Sequence, residues 1–133
     1  MANINVEVKG PKGPQVKESL LPAAVPLQRG LAVVYGSDEY HATLATTAGG
    51  AIQGVVEEDA VSLELPIAVV EEGQAVLQIG AAVTPGQDLA INATGQFVPA
   101  AAGNRIVARS LSGNPNAGDF ITGYVFLSQP THP

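Results

Sequence analysis

The chain alternates in short beats. In QAVLQIG (residues 74–80), Ala75, Leu77 and Ile79 fall on one side of an extended chain, with Gln74 and Gln78 on the other. That is the period-two pattern of a half-buried strand. LAVVYG (31–36) reads as a short apolar strand, SDEY as a polar turn, and HATLATT (41–47) as a strand rich in β-branched Thr. AGG (48–50) then turns into AIQGVVEEDA (51–60). VSLELPIAVV (61–70) reads as two short strands or one long strand bent at Pro66, and EEG (71–73) as a turn. FITGYVFL (120–127) is apolar on both faces, which predicts a central strand covered on both sides. The tail SQPTHP is irregular.

Turn signals punctuate these runs. TPGQD (84–88) and NATG (92–95) bracket the apolar run 89–91, and AAGN (101–104) and SGNPNAGD (112–119) bracket 105–111. Gly and Asn tolerate the positive φ of tight turns, and Pro presets the first turn position. Eight or nine short strands with turns every 8–12 residues predict an all-β fold, either a small jelly-roll-like β-sandwich or a short barrel.

The first 30 residues lack this rhythm. Met1 to Val8 alternates (Ile4, Val6 and Val8 against Asn3, Asn5 and Glu7) and could form a strand. GPKGPQ (10–15) cannot continue a helix or a central strand, because proline has no N–H to donate. Pro22 and Pro26 then force an extended path through Leu20, Leu21, Val25 and Leu27. The expected organisation is an extended N-terminal arm over residues 1–30 and a β body over 31–133. The arm's leucines and Val25 would be buried against this body or against a neighbour. Removal of residues 1–30 is accordingly expected to leave a folded body.

Composition sharpens the picture. Of 133 residues, 20 are Ala, only six are Phe or Tyr and none is Trp, so the core must come from 16 Val, 11 Leu and 7 Ile. Fifteen Gly and ten Pro disfavour long helices. Without Cys there is neither a disulfide framework nor a thiolate nucleophile. No secretory pattern opens the chain and no apolar run approaches a bilayer's width, so synthesis in the cytoplasm of the producing cell is expected. Residues 1–30 carry Lys9, Lys12, Lys17 and Arg29 against Glu7 and Glu18. Residues 31–133 carry Arg105 and Arg109 against ten acids. The resulting +2 and −8 give the net charge of −6. An acidic body argues against nucleic acid as a partner, since phosphate binding needs clustered cations.

Candidate chemistry is sparse. His132 lies in a proline-flanked tail, and His41 opens a strand after Asp38 and Glu39. Glu57, Glu58 and Asp59 offer oxygens, but consecutive strand residues point to alternate sides and the spaced loop of a calcium site is absent. Asn92-Ala93-Thr94 matches a glycosylation sequon and is better read as a turn. No nucleophile elbow, phosphate loop or dinucleotide fingerprint occurs. No lysine follows Lys17, so a carrier hairpin is excluded too. The reading is of a protein that is not an enzyme and needs no cofactor or metal.

Three stretches carry a family resemblance: AIQGVVEEDA, EEGQAVLQIGAAVTPGQDLAINATGQFVPA and RIVARSLSGNPNAGDFITGYVFL. Their order resembles that of the phage capsid cement, or head decoration, proteins. The resemblance implies a small β protein made in an infected bacterium. Such a protein adds to the outer surface of the phage head as a dimer or trimer at symmetry axes and staples capsomers of the major capsid protein. It carries no catalytic residue to transfer, and short members start near Leu31, so the leader is a departure from the common core. The residues expected to touch the capsid are Lys9, Lys12, Lys17, Leu20, Leu21, Val25, Leu27 and Arg29. The alternative function is a carbohydrate-binding β-sandwich on a virion surface, with Tyr35 and Tyr40 as the aromatic pair near a turn.

Overall fold

The computed structural model describes residues 15–23 and 27–133. The expected strand over Met1 to Val8, and Lys9, Lys12 and Val25 of the expected contact set, lie outside the described residues. Nine strands follow in order: β1 (Gln15–Pro22), β2 (Ala32–Tyr35), β3 (His41–Leu44), β4 (Gly54–Val56), β5 (Ile67–Gln78), β6 (Asp88–Ile91), β7 (Phe97–Pro99), β8 (Ala108–Ser110) and β9 (Phe120–Val125). They form one sheet in the order β1-β3-β2-β4-β5-β9-β8-β6-β7, with a further pairing of β1 to β5. The all-β expectation holds. The nine described strands form one continuous mixed sheet.

The extra β1–β5 pairing closes a ring. β1 runs antiparallel to β5 from Gln15↔Gly73 to Leu20↔Ile67, and parallel to β3 at Leu21↔His41 and Pro22↔Ala42. β3 pairs with β2, β2 with β4 and β4 with β5. A second circuit starts from the other half of β5. Residues 73–78 pair with β9, which pairs with β8, then β6, then β7. A parallel bridge from Phe97 to Ile79 returns to the residue just beyond β5. Closed pairing leaves few free strand edges, the feature through which sheets aggregate.

β5 is therefore shared by both rings, and Gly73 is the shared residue, paired to Gln15 on one edge and Val125 on the other. Its φ of 119° lies where side-chain-bearing residues are strained. Here the expectation fails: EEG is no turn, and one strand runs from Ile67 through it to Gln78. The glycine bends the strand without reversing it, because partners on both edges hold the chain extended.

Alternation along the shared strands separates two cores. Val33, Val56, Ile67 and Val69 join Leu20, Leu27 and Ala42 in one cluster. Ala32, Val55 and Val70, their neighbours in sequence, join Leu77, Ile79, Leu89, Phe97 and Ile121 in the other. β2, β4 and β5 thus form a wall buried on both faces, which is why GVV of β4 is apolar at every position. β9, expected to be covered on both sides, is central but one-sided: Ile121, Gly123 and Val125 are buried while Tyr124 is exposed. The irregular tail is tied down, with Gln129 bonding both the N–H and the C=O of Ile52 at 2.9 and 3.0 Å.

Two stability outcomes follow from this wiring. Gly73→Ala should cost about 1–3 kcal/mol in denaturant unfolding, since alanine must enter a disfavoured backbone region; an unchanged midpoint would show the bend to be unstrained. Removing residues 1–30 takes β1 and Leu27 out of the first ring and should abolish its cooperative transition.

Candidate interaction surface

The structure splits the expected contact residues into two groups. Glu18, Leu20 and Pro22 share one face of β1, and Leu20 enters the first ring, where it is 2% exposed; Leu27 is equally buried in the same cluster. These two leucines fill this chain's own core, so in this form they present nothing to a partner. Leu21 is half-buried, and Lys17 and Arg29 lie at the surface.

Lys17 and Arg29 meet the loop between β4 and β5. Lys17 Nζ donates to Glu57 Oε1 at 3.0 Å, and the Arg29 backbone N–H donates to Asp59 Oδ1 at 2.8 Å. The Ala60 N–H donates to Leu27 O at 2.8 Å. The first and third of the three consecutive acids thus fasten the leader to the loop. Arg29 and Glu57 also line a shallow recess with Ala75 and Val76 of β5. Among the described residues no group of three His, Cys, Asp or Glu side chains is gathered for a metal ion.

Beyond this clasp the loop carries an apolar strip. Val61, Leu63 and Leu65 are 79%, 47% and 54% exposed, and the loop is braced by the Glu64 N–H donating to Ser62 Oγ at 2.9 Å. Three large apolar side chains on one surface loop, among acids, mark an interaction surface. The sequence reading took residues 61–65 into a strand and missed this. The available signal was alternation V-S-L-E-L, stopped at Pro66, with no second run close by to pair it.

The other candidates are structural. His41 Nδ1 lies 2.7 Å from Asp38 Oδ1, which also accepts the Tyr40 N–H at 2.8 Å. The bond from His41, then that of Tyr40, holds the Asp38 carboxyl below its usual range. No nucleophile is joined to this pair; it braces a turn. Asn92 Oδ1 accepts from the N–H groups of Thr94 and Gln96, both at 3.0 Å, closing the turn at the sequon. Ser110, 1% exposed, donates to Thr84 O at 2.5 Å and accepts from the Gln87 N–H at 2.8 Å, so its hydroxyl is fully used. Tyr40 is 66% exposed, but the Tyr35 hydroxyl is committed to Glu18, donating to its carboxylate oxygens at 3.1 Å.

No protein-family profile matches the chain, and no curated protein matches it in sequence. Among solved structures, the fold matches the head fiber gp8.5 N base of bacteriophage phi29 with a TM-score of 0.66 and 12% identity, over 90% of this chain and 100% of that one. The chain therefore shares its fold with a phage head fiber base.

Leu20→Ala should lower unfolding stability by about 2–5 kcal/mol, as for a leucine emptied from a packed core. Lys17→Ala should cost no more than about 1 kcal/mol, since its ion pair is exposed. Equal small losses at both positions would place Leu20 outside the core.

Proposed function

We propose that this protein is a structural protein of a phage head, of the cement or decoration type. It binds the outer surface of the major capsid protein shell, associates with copies of itself and bridges capsomers. The supporting observation is a fold shared over 90% of the chain with a head fiber base. The sequence adds motifs that resemble the decoration proteins and supplies no catalytic set.

Contact with the shell falls on two surfaces. One is formed by Lys17, Leu21 and Arg29 of the leader, with Lys9, Lys12 and Val25 as further contact residues. The other is the adjoining strip of Val61, Leu63 and Leu65. Burial of these side chains on a partner supplies about 25 cal/mol per Å² of apolar area, less the cost of ordering the loop. Individually weak contacts then multiply across a repeating shell, which raises avidity without any single strong site. No bond is made or broken in this role. Shape and repeated burial are sufficient.

The test is the heat resistance of emptied heads, read by release of capsid protein on warming. Added protein should raise the disruption temperature. Replacing Val61, Leu63 and Leu65 together by Ser should remove most of that gain while leaving the protein's own melting unchanged. Heads that disrupt at the same temperature with and without the protein would refute the stabilising role.

A further inference from the structure

The first ring is incompletely closed by backbone. β1 meets β3 only at Leu21 and Pro22, so from Gln15 to Leu20 its hydrogen-bonded strand partner is β5 alone. On the open side, side chains take over. Alternation places Glu18 on the same face of β1 as Leu20 and Tyr35 on the same face of β2 as Val33, while Glu71 is the extra residue where the β1–β5 register shifts and is tied to Glu18 through Gln53. Leu20, Val33 and Val69 all belong to the core inside the ring. Glu18 and Tyr35 therefore continue its inward rows, and Glu71 joins them at the bulge.

The cluster has a definite bonding scheme. Gln53 Nε2 donates to Glu71 Oε2 at 2.6 Å and to Glu18 Oε2 at 3.2 Å, so one amide spans two carboxyl groups. The Tyr35 hydroxyl reaches Glu18 from β2. The charged and titratable groups around Glu71 are all acidic or phenolic: Glu18 from β1, Tyr35 from β2 and, beyond it, Glu39 from the β2–β3 turn. Among the described residues no cation joins them. Lys17 is turned to Glu57, and His41 is engaged with Asp38.

We propose that the Glu18–Gln53–Glu71 bridge is a pH-sensitive latch that holds the first half of β1 in the ring. With one proton between the two carboxyl groups, the cluster is hydrogen-bonded throughout. With none, two negative charges face each other across a single amide, and the cheapest relief is for Gln15 to Ser19 to lift away while Leu20 to Pro22 remain paired. Geometry alone supports this, and the electrostatics agree in direction: the bond to Glu18, then partial burial, pushes the Glu71 carboxyl above its usual range. The folded chain therefore holds a proton that the unfolded chain would release. The latch is fully closed below the ordinary glutamate range and weakens as pH rises through the elevated value of Glu71. A strand that leads directly into residues 1–14 thereby acquires a proton-controlled hinge.

The experiment is amide hydrogen exchange of residues 15–20 in the full chain between pH 4.5 and 8, comparing wild type with Glu71→Gln at each pH so that intrinsic rates cancel. Glutamine mimics the protonated acid and keeps the partner of Gln53. Protection of β1 in the wild type should fall relative to the variant, by up to about tenfold per pH unit while the proton is being lost, with β6 and β9 unaffected. Glu18→Gln should behave as Glu71→Gln does. A constant ratio of wild type to both variants at every pH would overturn the latch. So would a Glu71 carboxyl carbon that titrates, by NMR, in the ordinary glutamate range.

Discussion

The structure depends on the continuity of β5 through Gly73. A strand of twelve residues supplies one wall to each of two rings, and at Gly73 it is paired on both edges at once, to β1 and to β9. A reversal there would leave two small hairpin stacks, neither large enough to bury its apolar face. An unbroken strand instead lets alternation turn Val69 and Val70 to opposite cores. The two rings stand or fall together, because the wall between them is the same three strands.

Closure has a physical consequence: open strand edges invite indiscriminate pairing with neighbouring chains, and paired ones do not. Here the paired circuits leave interaction to side chains and loops: the clasp of Lys17 with Glu57 and Arg29 with Asp59, and the strip of Val61, Leu63 and Leu65 beside it. The body is acidic, while residues 1–30 carry four of the six Lys and Arg residues.

The turns were legible in the sequence because their chemistry is local. Gly86, Gly95, Gly103 and Gly118 all take positive φ in the turns their surroundings announced. The run of β5 through EEG was not legible. A glycine after two glutamates reads the same whether the chain reverses or merely bends, and only the partners on both edges decide. Leu20 and Leu27 posed a similar ambiguity. Their apolarity required burial, but whether in this chain or another depends on β1 pairing with a strand some fifty residues away. Glu18 and Glu71 meet for the same reason, and nothing local to either residue signals it. The apolar loop was hidden by its own alternation, which imitates a strand so long as the missing partner goes unnoticed.

The proposed role rests on shape and repeated surface contact rather than on reactivity. The most direct measurement is the copy number bound to purified emptied heads, determined by sedimentation and quantitative densitometry across a titration. The account predicts saturable binding at a fixed, reproducible ratio to the major capsid protein, since identical sites on a shell fill to a set number. Failure to sediment with heads at any concentration, or uptake that rises without a plateau, would contradict it.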